Sequence, residues 1–129
     1  MSGSLKLVFC ALLAVPALLV AHHGTAVYDT EHPVTVKGIV TGWSWTNPHC
    51  LLEFDAKNDK GNVAHWVAET SNPNDMANKG WGKNTFKPGD EVVVTLIAAK
   101  NGRPIGRIQQ VVLNGQALIA EKSNAPEKP

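Results

Sequence analysis

Five histidines, His22, His23, His32, His49 and His65, are the side chains of this 129-residue chain best suited to chemistry. Neutral imidazole binds copper, zinc, nickel and iron, so the adjacent pair His22-His23 raises a metal site first. The pair follows directly on an apolar run that ends at Ala21. A signal peptidase cut after Ala21 would make His22 residue one, and its free amine and ring Nδ1 would then form one chelate. A third nitrogen, from His49 or His23, completes a T-shaped set that favours copper, with zinc second. His22, His23 and His49 are therefore the candidate metal ligands. Cuts near Ala17 or Ala26 would leave the pair in a short arm or remove it.

The neighbours of these histidines are weaker candidates. Cys50 adjoins His49, but consecutive strand residues point to opposite faces, so both meet one ion only if Asn47-Pro48 bends the chain. Flanked by Leu51 and Leu52, Cys50 reads as a small hydrophobe. His32, before Pro33, belongs to an entry loop. His65 and Glu69 share one strand parity and read as a surface pair, outside the metal set.

Trp43 and Trp45 lie on one face of the same segment, with Asn47 two residues on. Together these three are candidate ligand-binding residues, the tryptophans as a platform for bases, sugars or a partner protein. The competing role for both rings is to fill a small core. Trp81, between two glycines in "GWG", reads as a loop anchor. No phosphate-cradling glycine loop, GxSxG elbow or CxxC is present, and Glu53 and Asp55 read as a solvated strand face. No catalytic residue is assigned and the chain is not expected to be an enzyme.

The elements that must position these residues begin after residues 1–21, which read as a signal peptide. Lys6 gives the positive start, Leu7 to Val15 is the apolar stretch, and small Ala21 precedes the cut. Leu7 to Ala21 is too short to span a bilayer as a helix, so export to the periplasm without stable membrane insertion is expected. Twelve basic side chains less Lys6 balance 11 acidic ones in the remainder. That balance gives no electrostatic reason to bind nucleic acid or an anionic membrane.

Residues 22–118 read as a single small β-barrel domain and 119–129 as a disordered polar tail. "VTVKGIVTGWSWT" (34–46) is strand-like, and its apolar parity switches across Gly42, the mark of a β-bulge. Strands follow over Cys50 to Ala56 and Val63 to Thr70. Ser71 to Trp81 fits a short helical crossover, capped by Asn72 or Ser71 and stopped by Gly80. A fourth strand faces Val92, Val94 and Leu96 inward, and a fifth covers Ile105 to Gly115. Five strands with one crossover between the third and fourth predict an all-β, OB-like barrel, with a two-sheet sandwich as the rival. Its core is expected to include Leu52, Phe54, Trp66, Val94 and Leu96.

Several blocks also resemble a bacterial family of small exported proteins that carries only an unknown-function label. They are His22-His23, Tyr28-Asp29, "VKGIVTGWSWTNPH", "HWVAE", "KGW" and "FKPGDEVVV". The resemblance spans nearly all of residues 22–115. It implies export, a single β-domain and attention to His22, His23, Asn47, Pro48 and His49, and it supplies no activity. Cys50 stands where a small or aliphatic residue is expected after "NPH". The functional expectation is a periplasmic, non-enzymatic domain holding copper or zinc. The alternative is a metal-free module binding a periplasmic protein or cell-wall ligand.

Overall fold

β-branched and aromatic residues crowd the segments that become strands, as a pleated, half-buried surface requires. In the computed structural model, which describes residues 27–121, the strands are β1 (Val34–Ser44), β2 (Leu51–Lys57), β3 (Val63–Glu69), β4 (Glu91–Ala98), β5 (Ile105–Leu113) and β6 (Gln116–Ile119). A single short helix, α1 (Pro73–Asn78), crosses from β3 to β4. The strand order is β3-β2-β1-β4-β5-β6, and a parallel β3–β5 pairing closes the first five strands into a barrel. This is the expected OB-like arrangement, with β6 added outside it.

The long first strand serves both halves of the barrel. Its start pairs with β4 (Val34↔Leu96 to Ile39↔Glu91) and its end with β2 (Ile39↔Asp55 to Ser44↔Leu51). The β2 register slips between Val40 and Gly42, so the parity switch in the sequence is a bulge. Gly38 lies where β1 presses on β2: an added Cβ would stand 2.5 Å from the Asp55 carbonyl oxygen.

Alternation then sorts the faces. Leu52 and Phe54 of β2, and Val92, Val94 and Leu96 of β4, are fully buried, joined by Ile108 and Val111 of β5. Each such side chain stabilises the fold by about 1.5–3 kcal/mol relative to exposure. Helix α1 contributes Met76 to the same cluster. Asn72 caps it, its side-chain oxygen accepting from the Asp75 amide at 3.0 Å, and Pro73 opens the first turn. Gly80, at φ 87°, ends the segment in the left-handed region that glycine enters without strain.

Two expectations need correction. Trp66 faces the core and stacks on Phe54, ring centroids 6.1 Å apart, but it is only half-buried. The reason is that β3 meets β5 only over Val67 to Glu69, which leaves the barrel wall incomplete at position 66. The fifth strand also turns at Asn114-Gly115, both with positive φ, into the unforeseen β6. A second bulge sets Gln109 aside in β5, and its carbonyl accepts the Ala120 and Glu121 amides at 2.8 and 3.2 Å. Ala120 is buried, so the folded chain runs past the expected boundary at 118, to Glu121.

Candidate functional site

The turn between β1 and β2 presents His49. Thr46 donates its hydroxyl to the His49 carbonyl at 3.3 Å, and the Asn47–Pro48 peptide is cis. Cys50 then begins the ladder with β3: its amide donates to the Ser71 carbonyl, and the Thr70 amide to the Cys50 carbonyl. Cys50 and Thr70 are buried, whereas His49 is only half-buried.

The His49 ring is fixed by one bond, Nδ1 to the Thr70 carbonyl oxygen at 2.9 Å. A carbonyl can only accept, so Nδ1 carries the proton and, in the neutral ring, Nε2 keeps its lone pair. Metal-binding histidines are held in this way, by a backbone carbonyl on the nitrogen that faces away from the ion.

The residue before Thr70 belongs to a second polar group. Glu69 lies opposite Leu51 in the β2–β3 register and shares its face. Tyr28 donates its hydroxyl to Glu69 Oε1 at 3.2 Å. Arg107, the partner of Glu69 across the closing seam, brings Nε to 3.9 Å of that oxygen and donates from Nη2 to Glu121 at 2.6 Å. Desolvation pushes the Tyr28 phenol above its usual range, and the adjacent Glu69 charge and hydrogen bond add to the shift.

The remaining described histidines are taken up elsewhere. His32 pairs with Asp29 at 3.0 Å, which holds that carboxyl below the usual range. His65 pairs with Asp55, its direct cross-strand neighbour, and not with Glu69. Among the described residues no group of three or more histidine, cysteine, aspartate or glutamate side chains could hold a metal ion. His22 and His23 lie outside the described residues, so of the three candidate ligands only His49 is in view.

Trp43 and Trp45 are half-buried, centroids 6.0 Å apart. Trp43 also meets Trp81 at 6.0 Å and Phe86 at 5.1 Å, and its indole N–H donates to the Gly82 carbonyl at 2.9 Å. Both rings pack against the core, while Asn47 is exposed in the turn beyond them. Trp81 is buried as an anchor, and its indole nitrogen has no partner among the described residues.

A family model described as a family of unknown function, DUF6152, matches residues 10–109. The chain belongs to DUF6152. The DUF6152 match takes in His22-His23, Tyr28, the Trp43–His49 turn, Glu69 and Arg107, and stops before β6 and Glu121. A comparison with curated proteins returns no match. No described helix is long and apolar enough to cross a membrane.

Tyr28, Glu69 and Arg107 were not singled out as site residues from the sequence. Strand parity puts Glu69 on the face of Leu51, but only the β3–β5 register brings Arg107 beside it.

Proposed function

We propose that this DUF6152 member is an exported, non-enzymatic β-barrel domain that binds one transition-metal ion, copper before zinc. The ligands are His49 and the histidines of the amino-terminal arm, His22 and His23, and the role is that of a periplasmic metal carrier or buffer. The observation that carries this reading is the His49 ring, proton on Nδ1 against the Thr70 carbonyl and Nε2 left as a lone-pair donor. Tyr28 already touches Glu69, the residue next to Thr70, and the five-residue step from Val27 back to His22 spans up to about 17 Å when extended. The ligands must be deprotonated to bind, so protons compete with the ion for them.

The test is a native intact mass of the exported protein with and without stoichiometric Cu(II). A mass beginning at His22 that gains one copper, lost in His22→Ala and weakened in His49→Ala, supports the reading. A protein that starts at His22 and retains no copper overturns it, as does retention unchanged in His49→Ala.

One observation favours the metal-free interaction module as a second reading. Trp45 is partly exposed at the rim of the aromatic cluster, two residues from exposed Asn47. A cell-wall fragment that changes tryptophan emission in the wild type and not in Trp45→Ala would support that alternative.

A further inference from the structure

The β5–β6 hairpin turns on Asn114-Gly115, at φ 50° and 81°, a two-residue turn whose flanking residues Leu113 and Gln116 pair directly. Such a pair exchanges both backbone bonds, and the bonding direction alternates along the strand from there. Gln116 and Leu118 thus aim their amides and carbonyls at β5, and Ala117 and Ile119 aim theirs away from it. The Ala120 amide, donating to the Gln109 carbonyl at 2.8 Å, keeps the same phase. Strand β6 pairs only with β5, and the outward groups of Ala117 and Ile119 have no backbone partner among the described residues.

Open edges are commonly blunted by charge or proline, and "QALI" carries neither. Ile119 is exposed there, and a groove of about 500 Å³ lies along the strand with Lys79 and Gly80 across it. The opening is bounded at both ends, by the Asn114-Gly115 turn and by the Lys79 ammonium, which donates to the Ala120 carbonyl. A long extended peptide would find no further backbone groups to bond. A second copy of the strand matches the opening. Antiparallel about a two-fold axis through Leu118, Ala117 lies opposite Ile119 of the second copy, and every open group is used in four hydrogen bonds. Centring the pair on Ala117 or Ile119 would set the other residue against Gly115 or Glu121, outside the strand. Each exposed isoleucine also meets a small alanine across the join. The hairpin already holds β6 extended, so pairing with a copy costs little ordering.

We propose that β6 is a dimerisation edge, pairing antiparallel with β6 of a second copy about Leu118 so that two barrels share one sheet. This pairing does not depend on the metal-binding reading.

The test is sedimentation of the full exported chain, with a chelator present to exclude an ion-bridged pair. Monomer should give way to dimer as concentration rises to about 1 mM. Ala117→Pro removes an outward amide that the β5 ladder does not use, and Ile119→Lys puts a charge on the edge. The two-fold axis doubles each loss, so both variants should weaken dimerisation by about tenfold or more while the unfolding midpoint changes little. Cysteine substitution reads the register. At the axis, the two copies of residue 118 would face each other with Cα atoms about 4.5 Å apart, within disulfide reach. Leu118→Cys should therefore cross-link two chains on mild oxidation, and buried Cys50 does not compete. The two copies of residue 116 would stand about 14 Å apart, so Gln116→Cys should not. A chain that stays monomeric at the highest concentration overturns the proposal and leaves the edge to a foreign strand. A dimer that both variants leave intact overturns it too, as does one bridged by Gln116→Cys and not by Leu118→Cys.

Discussion

Trp43 donates its indole N–H to the carbonyl of Gly82 at 2.9 Å, fastening the end of β1 to the segment that follows α1. The same ring lies 5.1 Å from Phe86 in an edge contact, so one side chain joins a strand to two turns of loop. Trp43→Phe keeps an aromatic body and loses the donor. Urea unfolding of that variant should show a loss of about 2 kcal/mol, from the hydrogen bond and the thinner packing. A midpoint equal to that of the wild type would mean that the cluster is held by its other rings.

Glycine is needed at some positions for space alone. A Cβ at Gly106 would stand 2.6 Å from Leu96 Cδ1 and 2.7 Å from the Ile97 carbonyl oxygen, the latter on backbone that cannot step aside. Gly106→Ala should cost about 1–3 kcal/mol through forced strand separation. At Gly82 the nearest atom to such a carbon is 4.0 Å away, and Gly82→Ala serves as the near-neutral control in the same denaturation series.

The chain has one tyrosine, so its titration can be read directly in the near-ultraviolet. Desolvation, with the Glu69 charge behind it, favours the neutral phenol of Tyr28 in the folded protein and raises its midpoint above the usual tyrosine value. The sign follows: this stabilisation is complete below the unfolded phenol's pKa and is lost as pH rises through the folded one. A raised tyrosinate midpoint is expected, moving back toward the ordinary value in Glu69→Ala. A normal wild-type midpoint would contradict the contact.

Cys50 is fully buried, and burial pushes its thiol above the usual range, with Thr46 and Thr70 offsetting part of the rise. In protein beginning at His22 it is the lone thiol. A disulfide reagent at mildly alkaline pH should react at least about a hundredfold more slowly with native than with unfolded protein, because access waits on opening of the fold. Rapid native labelling would show that the interior at β2 opens freely.

The strands were legible because alternation is a local property. Val92, Val94 and Leu96 announce the inner face of β4, and the switch from Val40 to Trp43 announces the bulge. What was illegible depends on partners distant in sequence. Nothing local to Trp66 tells that β5 reaches β3 only beyond it, and nothing local to Glu69 points to Tyr28 or Arg107. Likewise "LNGQALI" carries a clear Asn-Gly turn, yet the strand after it is only four residues long, too short for alternation to mark it. The Asn47-Pro48-His49 turn was legible locally, while the proton position on the His49 ring required the Thr70 carbonyl.

Closure of the barrel depends on three parallel pairs, Val67↔Ile105, Ala68↔Gly106 and Glu69↔Arg107. The β1–β2–β3 meander can zip from neighbour to neighbour, but this last join spans the helix and all of β4. Its loop-closure entropy must be met before any contact rewards it, which places such topologies among the slower folders. A chain cut short before Ile105 therefore has no way to seal itself, and the apolar faces of β2 and β4 stay open to whatever else is sticky nearby.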